Sequence, residues 1–290
     1  MIRAVLVGAI LMTLSGAAMA QEARPGQPGW TTTAEGCRVW NSAPQAEERA
    51  TWSGGCVEGL ADGRGALRWG LRSGDETYDG EMRKGRPHGR GIYAWNDGER
   101  YDGEWRDGDM HGRGVYTWSD GSRYEGEFRD DKQNGRGVYV WAKGDRYDGE
   151  WKDDKQHGRG VYVWANGDRY DGEWRDDNQN GRGVFVWSSG NRYDGEWRDN
   201  RMHGTGGFVA AEGDRYDGDW RDDKRHGQGK EVFVGHGTYE GAYADDLPNG
   251  QGTYTNVRGE VFTGTWTNGC FREGSRWAHV AVTAEACGFK

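Results

Sequence analysis

From Tyr78 onward the apolar and polar positions recur in a fixed order. Tyr78, Tyr101, Tyr124, Tyr147, Tyr170, Tyr193, Tyr216, Tyr239 and Phe262 stand 23 residues apart. Two residues beyond each lies a glycine, and four beyond lies Met82, Trp105, Phe128, Trp151, Trp174, Trp197, Trp220, Tyr243 or Trp266. Spacing by two is the period of a strand, so Tyr147, Gly149 and Trp151 point one way while Asp148 and Glu150 point the other. The following segment repeats the alternation, with Gly137, Tyr139 and Trp141 on one face and Val138 and Val140 on its reverse. Each unit is therefore predicted as two strands of a hairpin. A helix is disfavoured because glycine recurs too often and no 3.6-residue apolar stripe exists. Strand glycines on the aromatic face leave room for a neighbouring ring to lie across the backbone. Loop glycines such as Gly135 and Gly158 suit left-handed turns. Arg146, Asp148 and Glu150 are expected to form cross-strand pairs on a wet reverse face. A degenerate copy begins at Trp52, with Gly54, Cys56, Gly63, Gly65, Leu67 and Trp69 in phase, which brings the array to about ten units.

Composition changes the picture in one respect. Leu, Ile, Val and Phe make up only 35 of 290 residues, and the formal charge is -9. Chains so poor in these residues are normally disordered. Here 16 Trp and 14 Tyr at a fixed period supply the missing apolar area. The acidic balance gives no electrostatic case for nucleic acid.

Residues 1–20 carry one basic residue, Arg3, then an apolar run from Ala4 to Leu14, and end in Ala18-Met19-Ala20. This is the pattern of a secretory signal peptide. The expected mature chain starts at Gln21, carries -10, and is exported, either periplasmic or secreted, and soluble. The four cysteines, Cys37, Cys56, Cys270 and Cys287, form an even set that reads as two disulfides with three possible connectivities. A zinc site would need the four brought together, and none has C-x-x-C spacing.

The run Y-D-G-E-W-x-x-x-x-x-H-G-x-G at a 23-residue step resembles the MORN (membrane occupation and recognition nexus) repeat over roughly residues 52–269, as an exported, bacterial-type tandem array. The resemblance implies an all-β fold, an elongated single-layer antiparallel sheet of stacked hairpins with a shallow aromatic groove. On that architecture the array's ends lie roughly 85 to 90 Å apart, so Cys37 pairs with Cys56 and Cys270 with Cys287, stapling terminal caps over residues 21–51 and 270–290. Ala210, Glu231 and His236 depart from the repeat, and a local irregularity is expected there.

His88, His111, His157, His203 and His226 share one loop slot with Asn134, Asn180 and Asn249. Copies about 10 Å apart cannot share a metal, so the slot reads as a turn position tolerant of left-handed backbone. The paired acids Asp130-Asp131, Asp153-Asp154, Asp176-Asp177 and Asp222-Asp223 lack a calcium-loop framework and read as solvated turns. No metal or cofactor is called for. No nucleophile elbow or phosphate loop occurs, and near-identical repeats do not supply one asymmetric constellation, so a non-catalytic protein is expected. The candidate binding surface is the aromatic groove, centred on Trp105, Tyr116, Trp118, Phe128, Tyr139, Trp141, Trp151, Tyr162 and Trp164. A protein or peptide partner fits it by groove recognition. The resemblance implies scaffolding, partner attachment or membrane association. Against lipid stands the net negative charge, although Arg83, Arg106, Arg129 and their repeats would offer a basic strip. Cell-wall glycan binding through ring stacking is a third alternative. The sequence leaves the oligomeric state open.

Overall fold

The computed structural model describes residues 27–289. The signal segment expected at 1–20 lies outside the described residues. All 24 elements among the described residues are strands. The described residues divide into two compact units, one up to Asn96 and one from Asp97.

In the first unit, a hairpin of Gly29–Thr32 and Arg38–Asn41 precedes short strands Arg49–Trp52 and Gly55–Val57, which both pair antiparallel with the long strand Leu60–Gly70. Glu76–Arg83 and Arg86–Ala94 continue the antiparallel order. Cys37 and Cys56 are joined with their Cα atoms 5.7 Å apart, and Cys37 is buried. Trp52 is 1% exposed and covers Gly54 and Gly65, where any Cβ would run into its indole. The degenerate copy thus puts a tryptophan where later units have tyrosine.

In the second unit every strand pairs antiparallel with its sequence neighbour, from Arg100–Arg106 to Arg276–His279. The hairpin Arg146–Lys152 and Lys155–Val163 shows how the sequence builds each repeat. Asp153 and Asp154 form its two-residue turn at φ 48° and 67°, the type I′ geometry that matches strand twist and suits Asp and Asn. Gly149 faces Gly160, after which the register shifts, so that Glu150 faces His157 and Gly158 and Arg159 are extra. Gly158 supplies the left-handed residue of this bulge at φ 58°. The freed Arg159 N–H donates to Oε1 of Glu150 at 3.1 Å. Equivalent glutamates 104, 127, 173 and 196 accept the matching amide in their own repeats.

Two expectations are corrected here. Glu150 caps the bulge and makes no cross-strand ion pair; on the reverse face Arg146 instead meets Asp148 of its own strand at 2.7 Å. The His/Asn slot is not left-handed: the positive φ falls on the glycine after it, Gly112, Gly135, Gly158, Gly181 and Gly204 among them.

Residue side chains also tie each repeat to the one before. Asp154 Oδ1 accepts the Gln133 amide at 2.8 Å and its own N–H donates to Gln133 O at 3.1 Å. The same clamp recurs at Asp131, Asp177, Asn200, Asp223 and Asp246. The paired acids are therefore hairpin turns whose second member is an inter-repeat hydrogen-bond acceptor. At the C-terminal end, Cys270–Glu273 pairs with Arg276–His279, and Cys270 is joined to Cys287 with Cα atoms 5.6 Å apart. Both disulfide pairings match the sequence-based expectation.

Candidate functional site

One face of the second unit carries two aromatic rows, and they differ in what they offer to solvent. The inner row begins with the repeat tyrosines. Tyr147 is 0% exposed and lies over the facing pair Gly149 and Gly160, with its hydroxyl donating to Glu150 O at 3.0 Å. The absence of Cβ at both glycines is what admits the ring. Trp151 stands edge-on to Tyr147 at 5.1 Å and to Tyr124 of the previous repeat at 5.4 Å, and its indole N–H donates to Gly137 O. Edge-to-face contact continues through Trp174, Tyr170, Trp197, Tyr193, Trp220, Tyr216, Tyr243 and Tyr239 to Trp266. This herringbone is the hydrophobic core of the sheet in this unit, running from repeat to repeat beside the strand pairing and the turn clamps. Burial pushes the phenols of Tyr101, Tyr124, Tyr147, Tyr170 and Tyr193 above their ordinary value, with nearby carboxylates adding to the effect.

The outer row is a ladder of partly exposed rings. Tyr116, Trp118, Tyr139, Trp141, Tyr162, Trp164, Phe185 and Trp187 follow one another with centroids 4.3 to 5.2 Å apart and tilted planes. Phe208 closes it edge-on to Trp187 at 5.9 Å. A matching pair, Tyr93 and Trp95, lies in the first unit.

The nine expected groove residues are split by this arrangement. Trp105, Phe128 and Trp151 are 7%, 5% and 6% exposed and belong to the core row, so they do not line a surface. Tyr116, Trp118, Tyr139, Trp141, Tyr162 and Trp164 are brought together in the ladder. Phe185, Trp187 and Phe208 extend it beyond the nine expected residues, and their shared 23-residue period is the signal that marks them.

The ladder stops where the repeat changes. Ala210 stands in the tryptophan slot and Glu231 in the tyrosine slot. Glu231 is 7% exposed; it accepts from Arg225 and, at 2.9 Å, from the Tyr243 hydroxyl. Desolvation raises its carboxyl above the usual value, against the opposing pull of Arg225. Arg225 in turn lies over the Tyr216 and Tyr243 rings. Beyond this pair the loop is tighter, with Phe233 facing Gly237, where the repeat places a five-residue Trp141–Asp145 loop.

The recurring histidines do not converge. His111, His157 and His203 each face the first turn acid of the next repeat, at 3.7, 3.9 and 3.5 Å from Asp130, Asp176 and Asp222. No group of three metal-ligating side chains occurs among the described residues. Among them there is also no helix long and apolar enough to cross a membrane.

The MORN repeat family model matches eight tandem segments between residues 78 and 261, each 23 residues long. Among solved structures, the TCP domain of Drosophila melanogaster SAS-4 in complex with a proline-rich motif of Ana2 is 9% identical, with 61% of this chain and 84% of that one covered and a TM-score of 0.32. The TCP10 domain of Danio rerio CPAP is 12% identical over 82% of this chain and 99% of that one, with a TM-score of 0.34. A streptogramin B lyase is 10% identical over 86% of each chain, with a TM-score of 0.17. No curated relative matches the chain.

Proposed function

Since the chain belongs to the MORN-repeat family, we propose that it is a non-catalytic binding scaffold that takes a protein or peptide partner along its outer aromatic ladder, in the cell envelope. The observation that carries this reading is the division of labour between the rows. The inner rings are enclosed and are needed to hold the sheet together. The outer rings keep part of their surface in solvent while remaining in continuous contact over several repeats. Contiguous apolar surface of this kind marks an interaction site. Repetition argues against an enzyme, because each repeat offers nearly the same surroundings and none assembles a nucleophile, base and orienting group. Export to an oxidising compartment accords with two disulfides and a leader-like N-terminus.

A photo-crosslinking residue at position 166, beside Trp164, tests the reading in the source cell. A discrete protein adduct is expected, and it should disappear in a Trp141→Ala/Trp164→Ala variant that still folds. An unchanged adduct in that variant, or none with the parent, would count against the ladder as the binding face.

A further inference from the structure

The outer ladder carries two features that folding does not account for, and both describe a ligand. The first is its charge. The loops that begin at Trp118, Trp141, Trp164, Trp187 and Ala210 end at Ser122, Asp145, Asp168, Asn191 and Asp214, and Glu99 holds the same place one repeat earlier. The structural task of this position is to accept an amide from the next repeat. Ser122, Asp145, Asp168, Asn191 and Asp214 take the N–H of Ala142, Ala165, Ser188, Ala211 and Val234 at 2.7 to 3.0 Å. Ser and Asn perform this as well as Asp, so the clamp does not require the negative charge. Asp97, Asp120 and Glu212 at the exposed loop tips add to it, and the basic residue among these loops is Lys143. These acids touch the ladder itself: Tyr162 donates to Asp145 at 2.7 Å and Tyr116 to Glu99.

The second feature is a row of donors. The inner indoles are all satisfied, with Trp151, Trp174, Trp197 and Trp220 donating to Gly137, Gly160, Gly183 and Gly206 carbonyls. Among the described residues the indole N–H groups of Trp118, Trp141, Trp164 and Trp187 have no acceptor in the chain. They recur once per repeat, an advance of about 9.6 Å for two strands. A polyproline II helix has three residues per turn at about 3.1 Å each, so one turn advances about 9.3 Å, and its carbonyls make no internal hydrogen bonds. An extended strand alternates its sides every residue and does not present the same side every third one.

We propose that the ladder from Tyr116 to Phe208 binds a proline-rich peptide bearing Lys or Arg, held as a polyproline II helix with one turn per repeat. Its prolines pack on the rings, one carbonyl per turn accepts from a ladder indole, and its cations meet the acidic rim. The inference rests on the ladder being the binding face, and it names the class of partner. The Arg225–Glu231 pair limits the footprint at one end.

Anisotropy of fluorescein-labelled synthetic peptides, titrated with the full mature chain, tests it. Five Pro-Pro-Arg triplets should bind, while five Pro-Pro-Glu triplets and five Gly-Ser-Arg triplets should bind at least tenfold more weakly. Asp168→Asn with Asp214→Asn keeps the clamp, as Asn191 does, and should weaken the basic peptide several-fold and flatten its salt dependence. Trp164→Phe keeps a ring in the stack, removes the N–H and should also weaken it several-fold; near-UV circular dichroism checks that each variant folds. Equal binding of all three peptides, or no binding of the basic one, would overturn the proposal. If no peptide binds yet the cellular adduct still depends on Trp141 and Trp164, the ligand class is wrong and the binding face stands; loss of both removes the face as well.

Discussion

Gly160 is where the account is most exposed to a single methyl group. A Cβ there would lie 2.5 Å from Cε2 and Cζ of Tyr147, inside any real carbon contact. The ring cannot move aside, because it is 0% exposed, hydrogen-bonded to Glu150 O, and held between Trp151 and Trp174 at 5.1 and 5.4 Å. Overpacking costs about 1 to 3 kcal/mol, and displacing the hydroxyl from its acceptor about 1 kcal/mol more, so Gly160→Ala should destabilise by roughly 2 to 4 kcal/mol. Tyr147→Ala alone should cost about 3 to 5 kcal/mol, as for other large aromatic truncations. On the Tyr147→Ala background, however, the obstacle is gone and the glycine substitution should cost close to nothing. The double-mutant cycle therefore predicts a coupling of about 2 to 4 kcal/mol, well above the roughly 0.3 to 0.5 kcal/mol scatter of independent sites. Repeat arrays depart from two-state unfolding, so the local reading is amide exchange in Arg146–Lys152 and Lys155–Val163. Equal cost of Gly160→Ala on both backgrounds would refute the ring-over-glycine packing.

Other predictions follow from the same geometry. The Asp131 carboxyl, turned in against the Met110 amide at 2.7 Å, is raised by desolvation from 3.8 to about 6. Its folded form favours the proton, so its contribution is full below the unfolded value and is lost as pH rises through about 6. Asp131→Asn, which Asn200 shows to be compatible with the clamp, should raise the unfolding midpoint at pH 7 and flatten its decline between about pH 4 and 6. The core phenols behave alike at the other end of the scale: Tyr239 is raised to about 12 and the adjoining Tyr243 higher. Stability should hold below about pH 10 and then fall, with tyrosinate absorbance rising together with loss of near-UV dichroism; early, gradual ionisation would contradict their burial. Glu231→Ala takes one acceptor from the half-buried Arg225, which keeps Asp246, and leaves the Tyr243 hydroxyl without its acceptor, so it should cost about 1 to 3 kcal/mol in urea unfolding. Arg225→Met with Glu231→Tyr, which restores the residue types of neighbouring repeats, should recover that loss.

Much of this structure is readable from the chain. Period, strand pairs and the ring-covered glycines follow from spacing by two, and the disulfides follow from the array's architecture. What alternation cannot tell is which tryptophan is core. Trp141 and Trp151 share a face on paper, yet Trp151 stands within its strand opposite Gly135 and donates to Gly137 O, while Trp141 lies past the strand end in a loop. A signal was present: the Trp151 slot takes Met82, Phe128 or Tyr243, always large and apolar, whereas the Trp141 slot takes Ala210 and Asn256. A core position does not tolerate such losses. Likewise Asn200, standing among Asp131, Asp154, Asp177, Asp223 and Asp246 in one turn slot, points to an acceptor in place of a charge. The sequence pattern places the left-handed residue one position early because His and Asn precede a glycine that takes the positive-φ backbone itself.

Radical footprinting read residue by residue is the most direct test of the central claim that one aromatic row is core and the other is surface. Trp118, Trp141, Trp164 and Trp187 should oxidise rapidly in the folded chain, while Trp151, Trp174, Trp197 and Trp220 stay protected until it unfolds. Oxidation of both sets at the same rate under native conditions would contradict it.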